Sequence, residues 1–320
     1  MSEIVDLEEA RPVDADDLHE ALKRLAGSRG YHRQIDGHHA ATLVARGSTL
    51  LVSFEEIGAS LARGNGLPVA LDFAEDKNWS ILHISAAQPT WFRSAEMFAY
   101  FDELADEAFF DEYDRVIFFG ADAGGYAAAA YSVTAPGARV VAITPQATLD
   151  TAVASWDTRF PAARKRGFSG RYAYAPEMIE AVEEMALVFD PARPVDAMHA
   201  ALFRGANVTP VRAWHMADPE GAALIETLED LGVLHALIEG LGTGKTTRAE
   251  AHRALRARRD SVVWLRRLVV RLVARGNPRL LALCCKAALK RGDAPMFRRR
   301  LQGAVDALEA RGERPDWLDG

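Results

Sequence analysis

Four apolar residues, Val116-Ile117-Phe118-Phe119, run into Gly120-Ala121-Asp122-Ala123-Gly124-Gly125 and then into an alanine-rich stretch over residues 126–132. The apolar run reads as a buried strand and the alanines as a helix that packs closely. No loop residues separate them, so the chain must turn sharply and hold Asp122 in a strained conformation at the tip. Such a turn demands small neighbours, and Gly120, Gly124 and Gly125 supply them.

The surrounding pattern extends this unit into a sheet. Residues 31–35 and 40–45 flank Asp36-Gly37, a pair that favours a hairpin, and residues 49–54 form a buried apolar run. Further strands are predicted over residues 80–84, 139–143, 185–189 and 208–214, with helices over 16–25 and 94–108. Strands alternating with helices imply a mostly parallel sheet covered on both faces. Pro210 lacks a ladder donor, which places the last strand at an edge.

Hydrophobic residues make up 49% of the 320 positions and charged residues 26%, ordinary for a folded globular chain. The acidic opening lacks the basic and apolar regions of a secretory signal, and no run reaches about 18 apolar residues, so a cytoplasmic protein with no membrane span is expected. The net charge of −7 is unevenly spread: from Lys245 onward there are 19 basic and 8 acidic residues. This asymmetry sets a boundary between residues 1–244 and a basic extension, 245–320. Breaks at 275–278 and 291–293 divide the extension into three or four helices. Cys284 and Cys285 are neighbours on a predicted helix, where they pair poorly, and free thiols are expected.

The strand, the GxDxGG turn and the strand order together resemble the α/β-hydrolase fold over residues 40 to 240. The resemblance implies an α/β architecture with a mostly parallel sheet, an aromatic cap inserted at about 146–184, and the helical extension beyond the family pattern. It puts Asp122 at the nucleophile position and His215, after the last strand, at that of the catalytic histidine. Asp190 or Asp196 would orient the imidazole. Oxyanion donors would be the backbone N–H of Ala123 and one near Glu55, while Trp156, Tyr172 and Tyr174 would shape a cap pocket.

The departure is Asp122 itself, where serine is usual. In haloalkane dehalogenases and epoxide hydrolases of this fold an aspartate forms an alkyl-enzyme ester. The tryptophan that dehalogenases place beside it is here Ala123. An aspartate at a strand-to-helix junction is also a good N-cap, worth about 1 kcal/mol. Both readings stand at this point. Asp190 precedes Pro191 and suits a turn, and Asp196 suits a helix cap.

Other motifs carry less. Gly240-Leu241-Gly242-Thr243-Gly244-Lys245-Thr246 lacks the first glycine of a phosphate loop and follows a helix rather than a strand. His32, His38 and His39 have no further ligands at metal spacing and are expected on the hairpin surface. The arginines of the extension suit a solvated helical bundle that could engage a protein partner better than nucleic acid. The turn and the following AAAAYSVTAPGA also resemble an alphaproteobacterial group in which some members carry the label phosphoadenosine phosphosulfate reductase. The SGGxDS loop and ECGxH-like cysteine of such a reductase are missing from this sequence. No cofactor or metal is expected. Three functions follow: a binding protein with an atypical hydrolase site, an Asp-nucleophile hydrolase acting on a small uncharged substrate, or an interaction protein working through its tail.

Overall fold

The computed structural model describes residues 11–218, 223–292 and 295–313. The acidic segment 1–10 and Asp293, in the second predicted helix break, lie outside the described residues. Eight strands form one sheet: β1 (Tyr31–Gln34), β2 (His39–Val44), β3 (Thr49–Glu56), β4 (Ser80–Ala86), β5 (Arg115–Ala121), β6 (Arg139–Ile143), β7 (Glu184–Phe189) and β8 (Val208–Arg212). Their order is β1-β2-β4-β3-β5-β6-β7-β8. β2 runs antiparallel to β1 and β4, and every other pair is parallel. This is the α/β-hydrolase topology. Pro210 lies on β8 at the sheet edge, where a missing donor costs least.

The central strands are apolar on both faces because helices cover both. In β5, Val116 and Phe118 face one layer while Ile117 and Phe119 face the other, as the two-residue strand period dictates. The chain supplies α1 (Ala15–Ala26), α2 (Ile57–Ala62), α3 (Val69–Lys77), α4 (Ala95–Asp106) and α5 (Ala123–Tyr131). Helices α4 and α5 bury Phe101, Tyr126 and Tyr131 in the first layer, and α1 and α3 bury Leu18, Leu22 and Phe73 in the second. Ala127 through Ala130 are fully buried, so α5 lies directly against the sheet.

Between β6 and β7 the insertion holds only short helices, α6 (Thr151–Ala154), α7 (Pro161–Arg164) and α8 (Ala175–Met178). Arg93 pins it down. Its guanidinium donates to the carbonyls of Gly167 and Arg171 at 2.9 and 3.2 Å and to the Tyr126 hydroxyl at 2.7 Å. After β7 come α9 (Pro194–Ala200) and, after β8, α10 (Leu224–Asp230), α11 (Leu234–Gly242) and α12 (Arg248–Ala254). The chain ends in α13 (Val262–Ala274), α14 (Pro278–Leu289) and α15 (Pro295–Glu309), with the first break falling at the expected Asn277-Pro278. These last three helices share their own apolar cluster, including Leu265, Val269, Cys285 and Phe297. Cys284 and Cys285 are free thiols on α14. Among the described residues no helix is long and apolar enough to cross a membrane.

Candidate active site

The turn after β5 has the strained geometry its glycines predict. Asp122 sits at φ 50° and ψ −116°, a region that L residues rarely occupy. Its N–H donates to the Ile143 carbonyl at 2.9 Å and its carbonyl accepts from Tyr126, so both neighbouring strand and helix hold the turn. A Cβ on Gly120 would stand 2.2 Å from the Gly124 carbonyl oxygen, and one on Gly124 would stand 2.2 Å from that of Phe54.

Asp122 occupies the N-cap position of α5, yet its carboxylate makes no capping bond. It accepts instead from the Thr144 hydroxyl at 2.9 Å, from the loop after β6. The capping expectation therefore fails because the reversed φ of the turn directs the side chain across the strand ends. There it lines a cavity of about 920 Å³, together with Glu55, Glu56, Arg63, Trp91, Arg159 and Phe160 among others. Burial within the protein pushes the Asp122 carboxyl up from 3.8 to about 6, with nearby Asp196 and Glu56 adding to it and Thr144 and Arg159 opposing. Solvent still reaches it through the cavity.

The arginines of the cavity are already neutralised. Arg63 pairs with Glu55 and, at 3.3 Å, with Glu229. Arg159 is held by Asp157 at 2.9 Å and Asp196 at 2.6 Å, and its guanidinium lies 5.0 Å over the Phe160 ring. Arg193 lies 3.8 Å from the Asp196 carboxylate and donates to the Asp218 carbonyl at 2.9 Å. Asp122 and Glu56 have no cationic partner within hydrogen-bond distance among the described residues, and burial raises Glu56 as well. The lining thus leans anionic.

The structure does not bring His215 to Asp122. No hydrogen bond joins them, and His215 is not among the cavity residues. The reason lies in Asp190, whose two oxygens accept the N–H groups of Ala192, His215 and Ala217 at 2.9 to 3.1 Å. These bonds tighten the turn after β8, where His215 sits at φ 60° with Arg271, Asp190, Arg275 and Arg258 as its charged neighbours. Asp190 thus organises backbone rather than an imidazole. Asp196, in the first turn of α9, neither caps the helix nor meets His215, because Arg159 claims it.

The expected cap pocket is also placed elsewhere. Trp156 packs 4.5 Å from the His199 ring, outside the cavity lining. Tyr172 is buried against Tyr131 and donates to Asp102 at 2.7 Å. Tyr174 packs at the margin of the same core. Trp91 and Phe160, 4.7 Å apart, supply the aromatic wall instead. Of the two oxyanion positions, Ala123 lines the cavity at the start of α5, and Glu55 lines it while its carboxylate binds Arg63, Ser60 and the Val69 amide.

One other sequence expectation changes. His39 is buried, not superficial: its Nδ1–H donates to Asp36 at 2.8 Å and its Nε2 accepts from the Thr90 hydroxyl at 2.6 Å. Thr90 is itself buried, so this relay holds the loop carrying Trp91 rather than meeting solvent. His32 bonds Thr42 at 2.8 Å, and among the described residues no cluster of metal-ligating side chains occurs. The glycine-rich segment 240–246 closes the C-terminus of α11, with the Thr246 N–H on the Gly240 carbonyl.

Sequence reasoning missed Thr144, Glu56, Arg159 and Trp91. Only Thr144, one residue beyond a strand end beside the turn, carried any local signal.

A pH series tests the environment of Asp122. A carboxyl whose pKa is raised on folding stabilises the protein while protonated and loses that contribution as pH rises from 3.8 toward about 6. Asp122→Asn keeps an acceptor for Thr144 without the charge. Its melting temperature should match wild type below pH 4, exceed it increasingly up to about pH 6 and run parallel above. A gap independent of pH would mean that the carboxyl titrates normally.

No family model matches the sequence, and no curated protein matches it. Solved structures similar to this chain include an esterase from the bacterial hormone-sensitive lipase family, at 13% identity, covering 80% of this chain and 100% of that one with a TM-score of 0.45. A hormone-sensitive lipase from a metagenome library is 15% identical, covering 76% and 96%, with a TM-score of 0.43. Carboxyl esterase 2 from Tuber melanosporum is 12% identical, covering 72% and 89%, with a TM-score of 0.40. The fold assignment stands on the strand order and directions of this chain: an eight-stranded α/β-hydrolase sheet carrying an aspartate at its elbow.

Proposed function

We propose that this protein uses an atypical hydrolase-fold site to bind a small molecule rather than to hydrolyse one. The observation that carries this reading is that the Asp122 carboxyl faces a cavity of about 920 Å³ whose lining contains no histidine. Acyl or alkyl transfer through an elbow residue requires a base to activate water or the nucleophile. His215 is not among the cavity residues, and His199 is committed to Asp157 and the Ala147 amide. A carboxyl at a strained turn can hold a ligand without the imidazole that turnover in this fold employs, and the proton acceptors that share its cavity are carboxylates such as Glu56.

The same lining supports a ligand class. Unpaired Asp122 and Glu56, beside the aromatic wall of Trp91 and Phe160, favour a neutral or cationic molecule with an apolar body. Binding should raise the melting temperature of wild type, and Asp122→Ala should remove most of that response.

Turnover of short-chain p-nitrophenyl esters and simple epoxides should remain at the blank rate. The decisive measurement is single turnover in isotopically labelled water, followed by mass analysis of the peptide containing Asp122. Label in Asp122 would replace the binding reading with an aspartate nucleophile.

A further inference from the structure

Four buried side-chain nitrogens without a hydrogen-bond partner among the described residues lie where the β8 loop meets the C-terminal helices. They are His215 Nδ1, Arg258 Nε, Trp264 Nε1 and Arg271 Nη1. They come from two regions of the sequence, the loop after β8 and the consecutive 3-10 turn Leu255–Asp260 and α13. Arg258 lies 5.6 Å from the centre of the Trp264 ring, and His215 has Arg271, Arg275 and Arg258 as its cationic neighbours. Buried donors left unpaired cost about 1–3 kcal/mol each, and more when charged, so four in one place are not a packing accident that folding would tolerate freely.

The local charge is as unbalanced as the hydrogen bonding. Asp190 is the acid facing this cluster, and its oxygens are taken by three backbone amides. Asp218 lies 2.9 Å from a different arginine, Arg267. Arg258 spends one nitrogen on the Leu255 carbonyl at 2.6 Å and leaves its Nε inward. Among the described residues the cluster therefore presents more donors and positive charge than acceptors.

We propose that this junction is a binding site for a phosphate-type oxyanion, free or as a monoester, independent of the cavity at Asp122. A tetrahedral anion offers several acceptors on different sides, which suits donors arriving from three segments better than a planar carboxylate does. Trp264 and the arginines would donate directly, and His215 through its Nδ1–H tautomer or its protonated form. The anion would also tie the loop after β8 to α13, joining the sheet to the helical extension.

The test titrates the full chain with inorganic phosphate, and separately with phenyl phosphate, by calorimetry at constant ionic strength set with chloride. Saturable one-to-one binding of either is expected. Binding of both identifies a site for the bare anion; binding of phenyl phosphate alone identifies a monoester. Arg271→Met should weaken it by about 10-fold or more, the worth of a charge-assisted bond. Without phosphate the same variant should melt no lower than wild type, because the Nη1 it removes has no hydrogen-bond partner there. Trp264→Phe keeps the charge and most of the packing, and should weaken binding several-fold. Phosphate should also raise the imidazole pKa of His215, read by NMR, which burial and then Arg271, Arg275 and Arg258 hold below its usual value against the opposing Asp190. No binding of either probe, or binding unchanged in both variants, overturns the proposal. Esterase or ligand results at Asp122 bear on neither outcome.

Discussion

Asp157→Ala is expected to cost about 3–5 kcal/mol of folding free energy, the range for removing one partner of a buried ion pair. Asp157 is fully buried and serves two partners at once. Its Oδ2 accepts His199 Nε2–H at 2.9 Å, and both oxygens accept from Arg159. Alanine would strand a buried imidazole N–H and leave Arg159 with Asp196 alone. The hydrogen bonds outweigh burial and hold the Asp157 carboxyl well below the usual range. Since a depressed folded pKa gives stability above the unfolded value of 3.8, the deficit of the variant should persist from neutral pH down to about pH 4 and narrow only below it. Urea unfolding at pH 7 and pH 3 measures both. Asp157→Asn, which keeps one acceptor and the shape, should lose less.

Gly124→Ala should destabilise by about 3 kcal/mol, at the upper end of what overpacking costs. The added Cβ would lie 2.2 Å from the Phe54 oxygen and 3.1 Å from its carbonyl carbon. Both atoms are β3 backbone, so no side chain can swing aside. Helix α5 would have to lift from a sheet on which four successive alanines are fully buried. Alanine's better helix propensity returns only about 1 kcal/mol. Gly303→Ala in α15 is the control: its Cβ meets nothing within 4 Å, so propensity alone should act and stability should rise slightly. A thermal-melt comparison of the two substitutions separates close packing from helix propensity. Equal effects would refute the close approach of α5 to β3.

The parts of the fold written in local pattern were legible. Apolar runs of five or six residues located β3, β6 and β7 to within two residues, and Pro210 marked the edge strand. The turn at Asp122 was legible because its glycines are required by contacts two to four residues away in the chain or on the adjacent strand. Chain order alone misplaced the partners of Asp122. His215 follows the expected strand, but a one-residue change in turn geometry rotates a side chain to another face, and Asp190 imposes that turn through backbone bonds the sequence does not display. Burial misled in the same way at His39, whose partners Asp36 and Thr90 come from two different loops.

Asp122 at a sharp strand-to-helix turn was determined by sequence, since glycine spacing and an alanine helix admit little else. Whether its carboxyl would cap α5, meet a histidine or face a cavity was decided by tertiary structure. Side-chain direction at φ 50° depends on what stands across the strand ends, and there Thr144, Glu56 and Arg159 arrive from separate segments. The same holds for the four unpaired nitrogens of His215, Arg258, Trp264 and Arg271. Their types are visible in the sequence, but their convergence requires α13 to pack beside the β8 loop, a long-range placement that no local pattern encodes.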